Sequence, residues 1–159
     1  MNKKQADLFE KFKQKMAEKE IGLPVFLYNG KKSAIKANLK GVDLSGKDLR
    51  DFIFAGANLE GANFEGSNLE GANLNRANLK GANFKNTQCR SSWFRFANLE
   101  GANLEGGQFA QCDFFQANLE GANLSKCNFI MADMGEAILK NTNYLEADQD
   151  MFYTDSAIF

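Results

Sequence analysis

The chain has 159 residues, with 19 Lys+Arg against 20 Asp+Glu, a net charge of −1 and no histidine. That length suits one core, and the charge balance fits neither a basic coat for nucleic acid nor, over the whole chain, an acidic imitation of it. The missing histidine removes the commonest general base, the commonest zinc ligand and the ordinary physiological-pH switch, and 15 Phe with a single Pro exclude a disordered composition.

The first 20 residues, MNKKQADLFEKFKQKMAEKE, are charged throughout. They hold no apolar stretch and no small-residue cleavage site, so no secretory signal is read and a cytoplasmic location is expected. No run reaches ~18 apolar residues, so no membrane span is expected. Residues 2–20 are predicted helical. Asn2 with Gln5 suits a capping box, and Leu8, Phe9, Phe12 and Met16 make one apolar stripe among lysines. Pro24–Tyr28 follows as extended chain, and Asn29-Gly30 as a tight turn. Residues 1–36 are thus read as an N-terminal helix and extended cap. The stripe either lids the fold or meets an anionic membrane or a partner.

From Ala37 the chain divides every five residues without a gap: ANLKG, VDLSG, KDLRD, FIFAG, ANLEG and so on through TNYLE, 22 units over residues 37–146. The third position is Leu or Phe in all but three units, where Cys89, Met134 and Tyr144 stand. The first is mostly Ala, the second is Asn or Asp in 17 units and the fifth is Gly in 10. A period of five fits neither a helix nor a plain strand. It fits three extended residues and a two-residue corner. Positions one and three then point inward, position two points outward, and glycine serves the corner. The unit ANL(K/E)G returns at 37, 57, 77, 97 and 117. Four corners per 20 residues make a square coil, and stacked coils pair in parallel at about 4.8 Å. The expectation is an all-β solenoid, a quadrilateral parallel β-helix of about 5.5 coils, ~26 Å tall by that spacing. Its faces one to four begin with the units at 37, 42, 47 and 52.

This A(N/D)LxG series resembles the pentapeptide-repeat family. The resemblance implies a right-handed β-helix, here with an N-terminal capping α-helix. Departures are Lys47 and Phe52 at inward first positions, and Gln88 and Trp93 at outward second positions. Residues 147–159, with Met151, Phe152, Tyr153, Ile158 and Phe159, are read as a C-terminal cap or tail covering the far end or making a dimer contact.

At period 20, outward charges stack in columns of alternating sign, as in Lys40, Glu60, Lys80 and Glu100. Such a surface neutralises itself. Faces three and four break the rule in their upper half, where Trp93, Arg95, Phe96, Phe115, Ile130 and Met131 point outward. A cluster with Trp, Phe and Arg is what an interface centre looks like. Cover by the chain's own tail and plain exposure are the competing readings.

No catalytic constellation, cofactor loop or metal signature is present. Cys89, Cys112 and Cys127 match neither a zinc spacing nor a disulfide framework and fall at inward positions. The chain is read as a non-enzymatic structural or protein-interaction module, meeting a protein partner or itself, with no direct nucleic-acid binding. The resemblance implies an alternative: a DNA mimic that binds a type II topoisomerase such as gyrase and protects it from quinolones or toxins. A duplex ~26 Å long carries about 15 charges, whereas the repeats hold 13 acids interleaved with 10 bases. The alternative therefore ranks second.

Overall fold

A computed structural model describes residues 26–28, 31–148 and 156–158. The predicted helix over 2–20 and the turn at Asn29-Gly30 lie outside the described residues. Strand β1 (Phe26–Tyr28) pairs antiparallel with β2 (Lys31–Ser33). From Ser33 onward all pairing is parallel and joins residues 20 apart, from Ser33↔Ile53 to Ile138↔Ile158. Each bridge sits on a second-position residue, so the four-cornered coil read from the period is present. The ladder also takes in Asp148, opposite Asn128, and Ile158.

Backbone bonding explains the repeat. Leu79 N–H donates to Asn98 O (2.7 Å) and Gly81 N–H to Glu100 O (2.9 Å), both on the coil above. Asn78 N–H reaches down to Ala57 O (2.9 Å), and Ala82 N–H closes the corner onto Leu79 O (3.0 Å). One donor per unit is left, at position four. The second-position side chain takes it: Glu100 N–H donates to Asn98 Oδ1 (3.1 Å), and Lys80 N–H to Asn78 Oδ1 (3.3 Å). In several units the free amide of the Asn then donates to the Asn one coil below, as Asn78 to Asn58 (3.1 Å) and Asn83 to Asn63 (3.0 Å). Asn at position two thus satisfies a backbone group and ties two coils together.

The inside follows the two-residue alternation. Ala57, Leu59, Ala62 and Phe64 are buried, as are Leu79 and Leu99 above them. Phenylalanine rings run up the core in contact from Phe52–Phe54 (4.3 Å) through Phe64–Phe84 (4.8 Å) and Phe94–Phe114 (4.7 Å) to Phe109–Phe129 (5.5 Å). Phe52 replaces the usual small first-position residue and stacks on Phe54. Gly107 leaves that position empty, because a Cβ there would meet the Phe109 ring at 2.4 Å. Cys89, Cys112 and Cys127 are buried, as their positions predict. One third-position residue departs: Tyr144 is 53% exposed. Among the described residues its neighbour Asn143 pairs only with Asn123 on the coil below, and no described strand lies on the other side of the ring.

The corner adopts the left-handed backbone region whatever residue occupies it. Gly41 has φ 68°, but Phe96 has 58° and Met131 has 60°. A non-glycine residue held there costs about 1–2 kcal/mol. For Met131→Gly, loss of this strain outweighs the added freedom of the unfolded chain, and stability is expected to rise by about 0.5–1 kcal/mol. A chemical-denaturation midpoint that falls instead contradicts the strain account.

Candidate protein-interaction site

Face four carries the break in the polar rule. Its second-position column runs Ile53, Asn73, Trp93, Asp113, Asp133. Trp93 cannot accept a hydrogen bond, so the fourth-position amide beside it has lost its usual partner. Arg95 N–H donates instead to Asn75 Oδ1 (2.9 Å), one coil below. The fold thereby accommodates an exposed indole at a position held in most units by Asn or Asp.

Next to Trp93, at the corner between faces four and one, guanidinium groups and rings interleave. Arg76 Cζ lies 4.9 Å from the Phe96 ring centroid, and Arg95 Cζ lies 4.7 Å from that of Phe115 and 5.9 Å from that of Phe96. The two rings meet edge to face at 6.1 Å. Arg95 Nη1 also pairs with Asp113 at 2.8 Å, which fixes its plane. Phe115 lies against Gly135, where a Cβ would approach the ring to 3.2 Å. Trp93 is 44% exposed and Phe96 41%, while Phe115 is half-buried.

Of the six residues singled out from sequence, Trp93, Arg95, Phe96 and Phe115 share this face and corner. Ile130 and Met131 do not join the stack. They lie on face three, a coil above Phe115 and at the opposite corner of face four; Ile130 is half-buried and Met131 44% exposed. Sequence reasoning missed Arg76, Asn75 and Asp113. Each lies 20 residues from a predicted member, so the same column rule could have found them.

Elsewhere the charges pair as the alternating columns predict: Lys40–Glu60 at 3.0 Å, Lys80–Glu100 at 2.9 Å and Lys85–Glu105 at 3.1 Å. Arg50 departs from this, turning to Asp48 two residues before it at 2.6 Å rather than along the stack. That guanidinium, with the Arg50 amide, holds the Asp48 carboxyl down at about 2. A cavity of about 430 Å³ at the foot of the first coil is lined by Lys31, Lys32, Asp48, Arg50, Asp51 and Phe52. Its ion pairs, Arg50–Asp48 and Lys31–Asp51, are already closed. Among the described residues no cluster of three or more His, Cys, Asp or Glu could hold a metal ion, and no helix is long and apolar enough to cross a membrane.

The family profile for pentapeptide repeats (8 copies) matches residues 35–71, 53–88, 92–129 and 108–141. No curated protein matches the sequence. Among solved structures, HetL, a pentapeptide-repeat protein involved in heterocyst differentiation regulation from the cyanobacterium Nostoc sp. strain PCC 7120, is 26% identical. The match covers 79% of this chain and 63% of HetL, with a TM-score of 0.57. Rfr23 from the cyanobacterium Cyanothece 51142 is 23% identical over 80% of this chain and 90% of its own, with a TM-score of 0.59. A trypsin-treated variant of QnrB1, a plasmid-mediated fluoroquinolone resistance protein, is 20% identical over 79% of this chain and 64% of its own, with a TM-score of 0.62. This chain therefore spans less than two thirds of HetL and of that QnrB1 chain. These likenesses carry the fold, a right-handed quadrilateral β-helix.

Proposed function

This chain belongs to the pentapeptide-repeat family, and within it we propose a non-enzymatic interaction module whose rigid β-helix of about 5.5 coils presents face four to a protein. The observation that carries the reading is Trp93 with its compensating Arg95–Asn75 bond. An exposed indole stands where the repeat calls for Asn, and the backbone has been repaired around it. An aromatic anchor beside an arginine supplies about 2 kcal/mol or more to an interface. Trp93→Asp is expected to leave the β-helix folded and to abolish dimerisation or partner capture. Sedimentation with thermal melting of this variant and of a chain lacking residues 150–159 tests it. Cover by the tail predicts instead that Trp93→Asp lowers the melting temperature and that the deletion exposes the patch.

Residues 2–20 serve in this reading as the lid on the first coil. Leu44 and Leu49 support it: they are buried, although the described ladder beneath their coil reaches only face four, at Ser33. Three free, buried thiols suit the reducing cytoplasm.

The topoisomerase alternative draws on the shared fold with QnrB1, a fluoroquinolone resistance protein. Lysines already occupy Glu60, Glu100 and Glu105, which leaves no continuous acidic stripe for mimicry on those faces. At low micromolar protein and moderate salt, gyrase supercoiling and its quinolone inhibition are expected to be unchanged. Relief of that inhibition would promote the alternative.

A further inference from the structure

On face four one pair of opposite signs meets inside the chain one coil apart, Arg95 with Asp113 at 2.8 Å, as such pairs do on faces one and two, but its outer charges are left over. Here the signs are sorted by height. Arg76 stands low on the corner between faces four and one, and Glu136 stands on the same corner three coils above, with Phe96 and Gln116 between them. Arg76 stacks on Phe96 and makes no ion pair among the described residues. Glu136 accepts a hydrogen bond from Gln116, and Asp133 accepts one from the Gly135 amide at 2.8 Å. Neither acid meets a cation among the described residues.

A face with cations low, acids high and aromatic rings between is complementary to its own inverted copy. We infer that face four is a two-fold interface with a second copy of this chain, the stacks running antiparallel about an axis along the strands, between the coils of Trp93 and Asp113. This rests on the interaction-module reading and names its partner.

Rotation about that axis keeps each column opposite itself and reverses its order. Arg76 then faces Glu136 of the second copy. Asn73 faces Asp133 and Trp93 faces Asp113, so an amide and an indole N–H are offered to carboxylates. Arg95 faces the Phe115 ring. At the other corner Met131 faces Gly71, a long side chain opposite none. Each contact occurs twice, as an isologous interface requires. A two-fold axis along the stack instead sets Arg76 opposite Gly71 and Glu136 opposite Met131, and pairs neither charge. Four coils of one narrow face make a contact smaller than a standard interface, so the dimer forms at roughly micromolar concentration.

Sedimentation velocity of the full chain over the roughly micromolar range tests this. The wild type is expected to be a reversible dimer. Arg76→Glu and Glu136→Arg should each weaken it at least about tenfold while keeping the wild-type circular dichroism spectrum. An equimolar mixture of the two variants should recover the dimer, because each reversed charge then meets its opposite at both contacts. A wild type monomeric throughout, a dimer indifferent to either substitution, or a mixture that stays monomeric overturns the inference. If the wild type is monomeric yet captures another protein through Trp93, self-association falls and the interaction module stands. If the wild type is monomeric and Trp93→Asp changes no interaction, both fall.

Discussion

Replacing Leu79 by alanine is expected to cost about 2–5 kcal/mol, while Lys80→Ala, one residue along, costs under about 0.5 kcal/mol. Leu79 is fully buried between Leu59 and Leu99, which are equally buried and share its column. Truncation removes apolar contacts on both sides. The hole cannot collapse, because the hydrogen bonds from Leu79 N–H to Asn98 O and from Gly81 N–H to Glu100 O hold the coils at their spacing. Lys80 is exposed, and its pair with Glu100 at 2.9 Å lies in water, where such pairs contribute little. In a domain of this size the leucine change lowers the melting midpoint by roughly 5–20 °C. Equal shifts for the two variants would refute the inside/outside assignment.

The second large effect concerns the thiols. Burial pushes Cys89 and Cys127 from the ordinary thiol value of 9.0 up to about 12, and Cys112 well above it. Cys112 Sγ–H donates to Cys89 O (2.7 Å) and Cys127 Sγ–H to Leu104 O (2.9 Å), contacts available only to the protonated form. The thiolate is the nucleophile, so near neutral pH its population falls about a thousandfold before access is considered. Labelling of the native protein by a thiol reagent should therefore be slower than that of the unfolded chain at all three sites, by about three orders of magnitude at Cys89 and Cys127. Mass spectrometry of timed quenches reads this, and rapid native labelling of all three contradicts the register. The same shifts set a pH dependence. The folded state binds these protons more tightly than the unfolded chain. Their contribution to stability is complete below the ordinary value of 9.0 and is lost as pH climbs from there toward about 12.

Much of the fold was legible because the repeat ties residue type to place. Leu59, Leu79 and Leu99 could be stacked from spacing alone, and the cysteines placed inside by the same count. Tyr144 shows the limit: it obeys the register, but burial also needs a coil above it. Arg50 shows another, since column counting offered Glu70 while the shorter reach to Asp48 prevailed.

The candidate site divides along the same line. Trp93, Arg95, Phe96 and Phe115 were visible as apolar or aromatic exceptions at outward positions. The column rule could also have placed Arg76 below Phe96, but not the stacking of its guanidinium on the ring, because side-chain direction at a corner depends on the left-handed backbone at Phe96 (φ 58°). Ile130 and Met131 fell in the same list by residue type, yet they stand at another corner.

The sequence by itself determined the period, and with it the coil, the strand register and the inward set. These follow from one alternation and one turn repeated without a gap, so local chemistry carries global shape. Only the tertiary structure decided which outward side chains touch. Neighbours 20 residues apart are brought within one strand spacing, but rotamers, corner geometry and competing partners choose among them. That choice set Arg76 on Phe96, gave the Arg95 amide to Asn75, and left Arg76 and Glu136 on one corner without an ion pair among the described residues.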